Sequence, residues 1–262
     1  MKSEAAKNSE NEDDSLVERN ILIDHIIMNE DKFTEQQISD HIVTFVSGYE
    51  TWANALAHTM LLLAIHPEIQ EKCFEEINHV FNSEDIAIDS DSMNQLQYLD
   101  LVQKEVYRLI PPVPILLRQS IKDFELDKGM NIKKDVNFLI NLYVLHRRKD
   151  IWGKDADKFN PDNFLQDNAS KRHPFSYLPF SGGQRNCIGK LTLNLYDLTT
   201  KTFYNILFTG YRYTAGSMKI AVMLLIKNYR FSSTMKLDEL RFKSYISLKL
   251  CTEHLVKVEK RI

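Results

Sequence analysis

Residues 175–189 read FSYLPFSGGQRNCIG, and the spacing Phe180-x-x-Gly183-x-Arg185-x-Cys187-x-Gly189 inside them decides how the chain is to be understood. A cysteine in a loop is ordinarily an inert thiol, and it gains chemistry from its surroundings. Here Gly182 and Gly183 let the backbone turn tightly beside a flat ligand. Arg185 supplies a permanent cation able to pair with a carboxylate and to favour a nearby thiolate. Gly189 lets the chain pass close to a ring, and Phe180 can shield the sulfur from water.

Two segments far from this loop add to it. Lys104-Glu105-Val106-Tyr107-Arg108 places Glu105 and Arg108 at i and i+3, on one helix face. Alone, such a pair is a surface ion pair worth under about 1 kcal/mol; here it leads directly into PPVPILLRQ, residues 111–119, which contains Arg118. Further upstream, Ser47-Gly48-Tyr49-Glu50-Thr51 falls in the middle of a long helical stretch. A glycine there costs about 1 kcal/mol relative to alanine and so asks for a reason.

Around these motifs the chain is mainly helical. Thr34-Glu35-Gln36-Gln37 has the form of a capping box, and apolar residues recur at helical spacing from there to Ile65. A helix of that length is about 45 Å long and crosses a whole domain. Pro67 suits the first position of a second helix, Pro67 to Phe81, and a third runs from about Gln95 to Leu109, where Pro111-Pro112 ends it. Leu116 to Leu126 and Asn131 to Ile140 alternate like strands around Asp127-Lys128-Gly129, a hairpin signal. Residues 150–187 are long and irregular, a last helix fits Ala215 to Lys227, and short strands follow. Residues 1–19 are polar and acidic and read as a disordered lead-in to a domain over 20–262.

The composition is that of an ordinary globular protein, 44% hydrophobic and 26% charged over 262 residues. A net charge of -3 gives no reason to expect nucleic-acid binding. Three scattered cysteines argue for a reducing compartment rather than a disulfide framework. No apolar run approaches the roughly 18 residues of a membrane span, and the opening residues are not those of a signal peptide.

The Phe175–Gly189 segment resembles the haem-binding signature of cytochromes P450, with every defining position filled. The Glu105–Arg108 segment with PPVPILLRQ, the Gly48–Thr51 segment, His146-Arg147-Arg148 with Ile151-Trp152-Gly153, and Phe159 to Phe164 follow the family's order and spacing, so the likeness covers about residues 20–250. It resembles in particular the microsomal, family-four-like members found in insects. The resemblance implies a mainly α fold with a small antiparallel β-sheet, running from the long central helix of the family to its C-terminus. It implies a haem b held by Cys187 as axial thiolate, with Arg118 and Arg185 on the propionates and Phe180, Gly183 and Gly189 lining the cofactor. Glu105 and Arg108 become a buried structural pair that fixes the segment leading to the cysteine. Thr51 orients water that delivers protons to dioxygen, with Glu50 as its acidic partner, where the helix widens locally. The activity implied is monooxygenation of a small apolar organic substrate, with NADPH electrons arriving through a flavoprotein reductase, at the cytosolic face of the endoplasmic reticulum membrane. Arg147, Arg148, Lys149, Lys171 and Arg172 offer a basic face for that acidic partner.

Three departures accompany the likeness. Family chains are about twice as long, so the anchor, the helices over the substrate and one propionate-binding helix have no counterpart here. Asn163 stands where the family carries an arginine, and can still hydrogen-bond to the Glu105–Arg108 pair. Residues 190–210, KLTLNLYDLTTKTFYNILFTG, interrupt the passage from Gly189 into the next helix, and their excision leaves CIGYRYTAGSMKIAVM, which reads as uninterrupted family sequence. An in-frame retained intron is one explanation, removed if these codons lack splice consensus or if transcripts only ever contain the insert; a real surface insertion is the competing one. The competing functional readings are a catalytically incompetent fragment or pseudogene-like product, and a helical interaction module.

Overall fold

The structure, a computed structural model, describes residues 33–82, 88–127, 129–187, 210–245 and 247–261. The expected lead-in, Gly189 and all but the last residue of the 190–210 interruption lie outside the described residues. The chain divides into two compact units after Val46, inside the first helix.

That helix, α1 (Glu35–Ile65), starts at the expected capping box: Thr34 N–H donates to Gln37 Oε1 at 2.9 Å, and Gln37 N–H donates back to Thr34 Oγ1 at 3.2 Å. Its second half is buried along Leu61, Leu62 and Leu63. Pro67 opens α2 (Pro67–Val80), where its missing N–H is no loss. The expected third helix is α4 (Gln97–Leu109), and a short helix that the sequence did not announce, α3 (Ser90–Gln95), precedes it. Asp89 caps α3 through Ser92 N–H. No side chain of its own caps α4; Glu76 of α2 does so instead, its two carboxylate oxygens accepting from the N–H groups of Tyr98 at 2.6 Å and Leu99 at 3.0 Å. The apolar face of α4 (Leu99, Val102, Val106, Leu109) then joins Ile77 of α2 in the core.

The hairpin forms around the expected turn but is broken. β1 (Ile115–Gln119) pairs with β4 (Asn137–Asn141), and β2 (Phe124–Glu125) pairs with β3 (Asn131–Ile132) in the same frame. Between them Ser120 Oγ accepts from Val136 N–H and donates to Lys133 carbonyl, and the Asp123 carboxylate takes Lys134 N–H, so side chains replace ladder bonds.

After β4 come two single-turn helices, α5 (Leu142–Leu145) and α6 (Lys149–Trp152), then a 3₁₀ turn at Pro161–Phe164, α7 (Gln166–Ala169) and a second 3₁₀ turn at Pro174–Ser176. The last helix, α8 (Gly210–Asn228), begins earlier than the periodicity suggests. Met218, Val222, Met223 and Ile226 bury it in the core; Lys219 pairs with Asp100 of α4 at 2.8 Å, and Trp52 of α1 donates to Ser217 at 3.2 Å. Two further strand pairs end the chain: β5 (Tyr229–Ser232) with β8 (Lys257–Lys260), and β6 (Phe242–Ser244) with β7 (Leu248–Leu250). The fold is mainly α, as expected. Its β-structure is small and antiparallel, also as expected, and consists of four strand pairs among the described residues.

Candidate functional site

Cys187 ends a tight loop and is exposed. Its N–H donates to Phe180 carbonyl at 2.8 Å, closing the loop, while Ser181 N–H donates to Leu178 carbonyl at 3.1 Å and Asn186 N–H to Gly183 carbonyl at 3.2 Å. The turn passes through left-handed backbone at Ser181 (φ 64°) and Gly183 (φ 77°), a conformation that explains the glycine at 183. The other two cysteines differ: Cys251 is exposed, whereas Cys73 is buried in the core, where burial pushes its thiol well up.

Two elements hold the loop from outside. Arg118 of β1 donates to Ser181 Oγ at 2.6 Å and to Arg185 carbonyl at 3.0 Å, and to Leu117 carbonyl at 2.8 Å. Tyr107 of α4 meets the Phe180 ring edge-on, with centroids 5.8 Å apart.

Beneath the loop lies a buried charged node. Glu105 and Arg108 have side chains fully out of solvent and bind each other through two bonds of 2.7 Å. The remaining N–H groups of Arg108 reach the carbonyls of His146 (2.8 Å), Ala156 (2.6 Å) and Lys158 (2.9 Å). Glu105 Oε1 also accepts from Asn160 N–H at 2.8 Å and from Asn163 Nδ2 at 3.1 Å. Burial pushes the Glu105 carboxyl upward, against the pull of Arg108 and these two donors. In each of its own hydrogen bonds, from Arg108, Asn160 and Asn163, Glu105 is the acceptor.

Asn163 thus takes its place in the node without a charge, and a cation stands close by. Arg172 donates to Asn163 carbonyl, its guanidinium lies 4.3 Å from the Trp152 ring centroid and 5.7 Å from that of Phe164, and Arg108 lies 5.0 Å from the same indole. Arg147, half-buried, stacks on Tyr143 at 3.6 Å and stands 3.8 Å from Asp157. Arg148 pairs with Asp150 at 2.5 Å. Arg147 and Arg172 of the expected basic face are therefore engaged in holding this segment together. Sequence reading missed that use, because the stacking partners are brought in by the fold. Replacing Arg172 by alanine is expected to lower unfolding free energy by about 1–2 kcal/mol, and lysine to recover only part of it, since an ammonium lacks the planar face; urea titrations of the three proteins check this.

Glu50 and Thr51 stand apart from the network. Glu50 accepts from Ser247 Oγ at 2.8 Å and pairs with Lys249 at 2.7 Å; the hydrogen bonds from Lys249 and Ser247 hold its carboxyl below the usual range. Thr51 Oγ1 donates to Gly48 carbonyl at 2.9 Å. The expected widening is not seen: α1 runs through residues 48–51 as continuous α-helix, the threonine bonding back to the preceding turn. Gly189 lies outside the described residues.

The sequence profile described as Cytochrome P450 matches residues 2–191. The chain belongs to the cytochrome P450 family. Among curated relatives, Probable cytochrome P450 313a4 of Drosophila melanogaster is 38% identical over 237 residues, covering 90% of this chain and 44% of the relative. Probable cytochrome P450 4ac1 of the same fly is 34% identical, over 87% of this chain and 40% of the relative. Cytochrome P450 4c21 of Blattella germanica is 31% identical, over 92% and 44%. This P450 chain spans less than half the length of these relatives.

The family implies a haem-thiolate centre, and the residues of this P450 fit one. Its loop presents an exposed thiol on a backbone fixed at both ends, and it carries Arg185, exposed, beside Arg118, whose N–H groups already brace the loop. Such a donor set suits an iron and two carboxylates.

Proposed function

We propose that the chain is the cysteine-bearing part of a haem-thiolate monooxygenase that inserts one atom of dioxygen into a small apolar organic substrate, with NADPH electrons delivered by a flavoprotein reductase. When bound, haem b supplies the oxygen chemistry, the sulfur donating electron density that favours O–O cleavage. Cys187 is the iron's thiolate ligand; Arg118 and Arg185 neutralise the propionates; Phe180, Gly183 and Gly189 shape the wall beside the ring. Thr51 Oγ1, its proton committed to Gly48 carbonyl, is left to accept from a water and orient it, and Glu50 is the neighbouring carboxylate. Reductase docking and a place on the cytosolic face of the endoplasmic reticulum membrane belong to this same reading. Among the described residues no helix is long and apolar enough to cross a membrane.

The observation that carries the proposal is the exposed Cys187 thiol on a loop braced by Arg118 and linked through His146 to the buried Glu105–Arg108 pair. The test is the carbon-monoxide difference spectrum of the haem-reconstituted, reduced chain. The wild type and Cys251→Ser are expected to give the Soret band of thiolate-ligated haem, and Cys187→Ser to lose it entirely. An unchanged band in Cys187→Ser overturns the assignment of the ligand. Failure of the wild type to take up haem supports a catalytically incompetent fragment instead.

A further inference from the structure

His146 sits at the end of α5 with its ring fully buried. Both ends of the residue are bonded, and to different parts of the site. Its carbonyl accepts from Arg108 Nη1 at 2.8 Å, and its Nε2 accepts from the backbone N–H of Leu178 at 3.0 Å. The Leu178 carbonyl accepts from Ser181 N–H, and Cys187 N–H closes on Phe180. A continuous path therefore runs from Glu105 through Arg108, His146 and Leu178 into the loop that ends at the thiol. Tyr177 supports it from the side, its ring 5.4 Å from that of His146 and its hydroxyl donating to Lys104 carbonyl at 2.9 Å.

We propose that His146 is a positioning residue, holding the cysteine loop in register with the Glu105–Arg108 pair through the acceptor nitrogen it offers to Leu178. The proposal rests on the reading of Cys187 as the iron's ligand for its functional meaning, but the link itself exists in the chain without haem. Only a neutral imidazole can accept at Nε2; an imidazolium sets N–H against N–H and releases Leu178. The charged and titratable groups around the ring are Arg108, with Glu105 beyond it, Arg147 on the chain, and the Tyr177 ring. Burial, with Arg108 and Arg147 as nearby cations, pulls the His146 pKa down to about 4, so the link is intact at neutral pH.

Amide hydrogen exchange on the chain without haem, resolved to Leu178 and expressed as protection factors, tests this. In the wild type, opening of the link frees His146 to protonate. Protection is therefore expected to fall tenfold or more between about pH 7.5 and about pH 5, in line with the proton uptake of an unperturbed histidine. His146→Gln, whose amide oxygen accepts at any pH, is expected to keep protection at both values. His146→Leu, which leaves the Leu178 N–H unpaired, is expected to lose about tenfold at both. After haem reconstitution the share of thiolate-type Soret absorbance should follow the same order, with glutamine rescuing what leucine loses. The same pH dependence in His146→Gln as in the wild type, or unchanged Leu178 protection in His146→Leu, overturns the proposal. A wild type that shows the exchange pattern yet never gives the thiolate band counts against the haem reading and leaves the link standing.

Discussion

Replacing Arg108 by alanine is expected to cost about 3–5 kcal/mol, a large share of the roughly 5–15 kcal/mol that a domain has to lose. Two losses combine. Glu105, with no exposure at all, keeps its charge-assisted bonds from Asn160 and Asn163 but loses its counter-ion. The carbonyls of His146, Ala156 and Lys158 lose their donor as well, the first two in buried surroundings. Lysine in place of Arg108 restores the charge but reaches only a fraction of these acceptors, because one ammonium does not present a planar fork. The second loss also makes this pair unlike many buried ion pairs, for which an apolar replacement of both partners is nearly neutral. A Glu105→Leu, Arg108→Met double variant is expected to remain destabilised here, since three backbone carbonyls stay unsatisfied. Urea unfolding of the two single variants and the double variant measures the difference. A double variant as stable as the wild type would show that those carbonyls contribute little.

The node also shows what the sequence made legible. Spacing put Glu105 and Arg108 on one helix face, while the family resemblance of the segment implied their burial; the capping box at Thr34, the proline start at Pro67 and the hairpin turn around Asp127-Lys128-Gly129 were legible as local properties. Each is decided within a few residues of itself. Of the partners, only Asn163 was anticipated. Nothing in the run from His146 to Arg172 announces that one carbonyl faces Arg108, that an imidazole nitrogen faces Leu178, or that two guanidinium groups lie over Trp152. Those contacts join residues 20 to 44 positions apart, and only the folding of irregular chain onto itself and onto α4 creates them. The junction between α3 and α4 has the same origin: Gln95, Leu96 and Gln97 contain no helix breaker, and the start of α4 is fixed by Glu76 reaching across from α2. The hairpin interruption was written in Ser120 and Asp123, whose side chains compete with the ladder, but alternation alone did not weigh them. At the loop itself the motif located Cys187, Arg185 and Gly183, while the part played by Arg118 in bracing the loop needed the strand register to become apparent.

Acidification is expected to remove stability in a window set by two histidines. His58 and His146 are each buried, and burial is the leading reason that both pKa values drop to about 4 from an ordinary 6.5. A neighbouring His254 adds to the effect at His58, and Arg108 to that at His146. Both groups are bases with depressed folded-state values, so above pH 6.5 neither state binds the proton and no penalty exists. Between 6.5 and about 4 the unfolded chain takes up a proton at each site that the folded chain refuses, and stability falls with pH. Below about 4 both states are charged and the loss levels off. The ceiling is about 3 kcal/mol per histidine, with roughly 2 kcal/mol more realistic once partial water access on opening is counted. Glu105 works in the opposite sense, because a carboxyl raised by burial binds its proton more readily in the folded chain, and it offsets part of the fall near its own titration. Urea unfolding at a series of pH values gives the slope directly. His58→Phe keeps a ring edge against Phe242 and removes the titration, so it is expected to flatten about half the slope, and the His58→Phe, His146→Gln pair nearly all of it. An unchanged slope in the paired variant would place the acid sensitivity in the carboxylates, and the buried histidines would then have to be charged, or hydrated, in the folded chain.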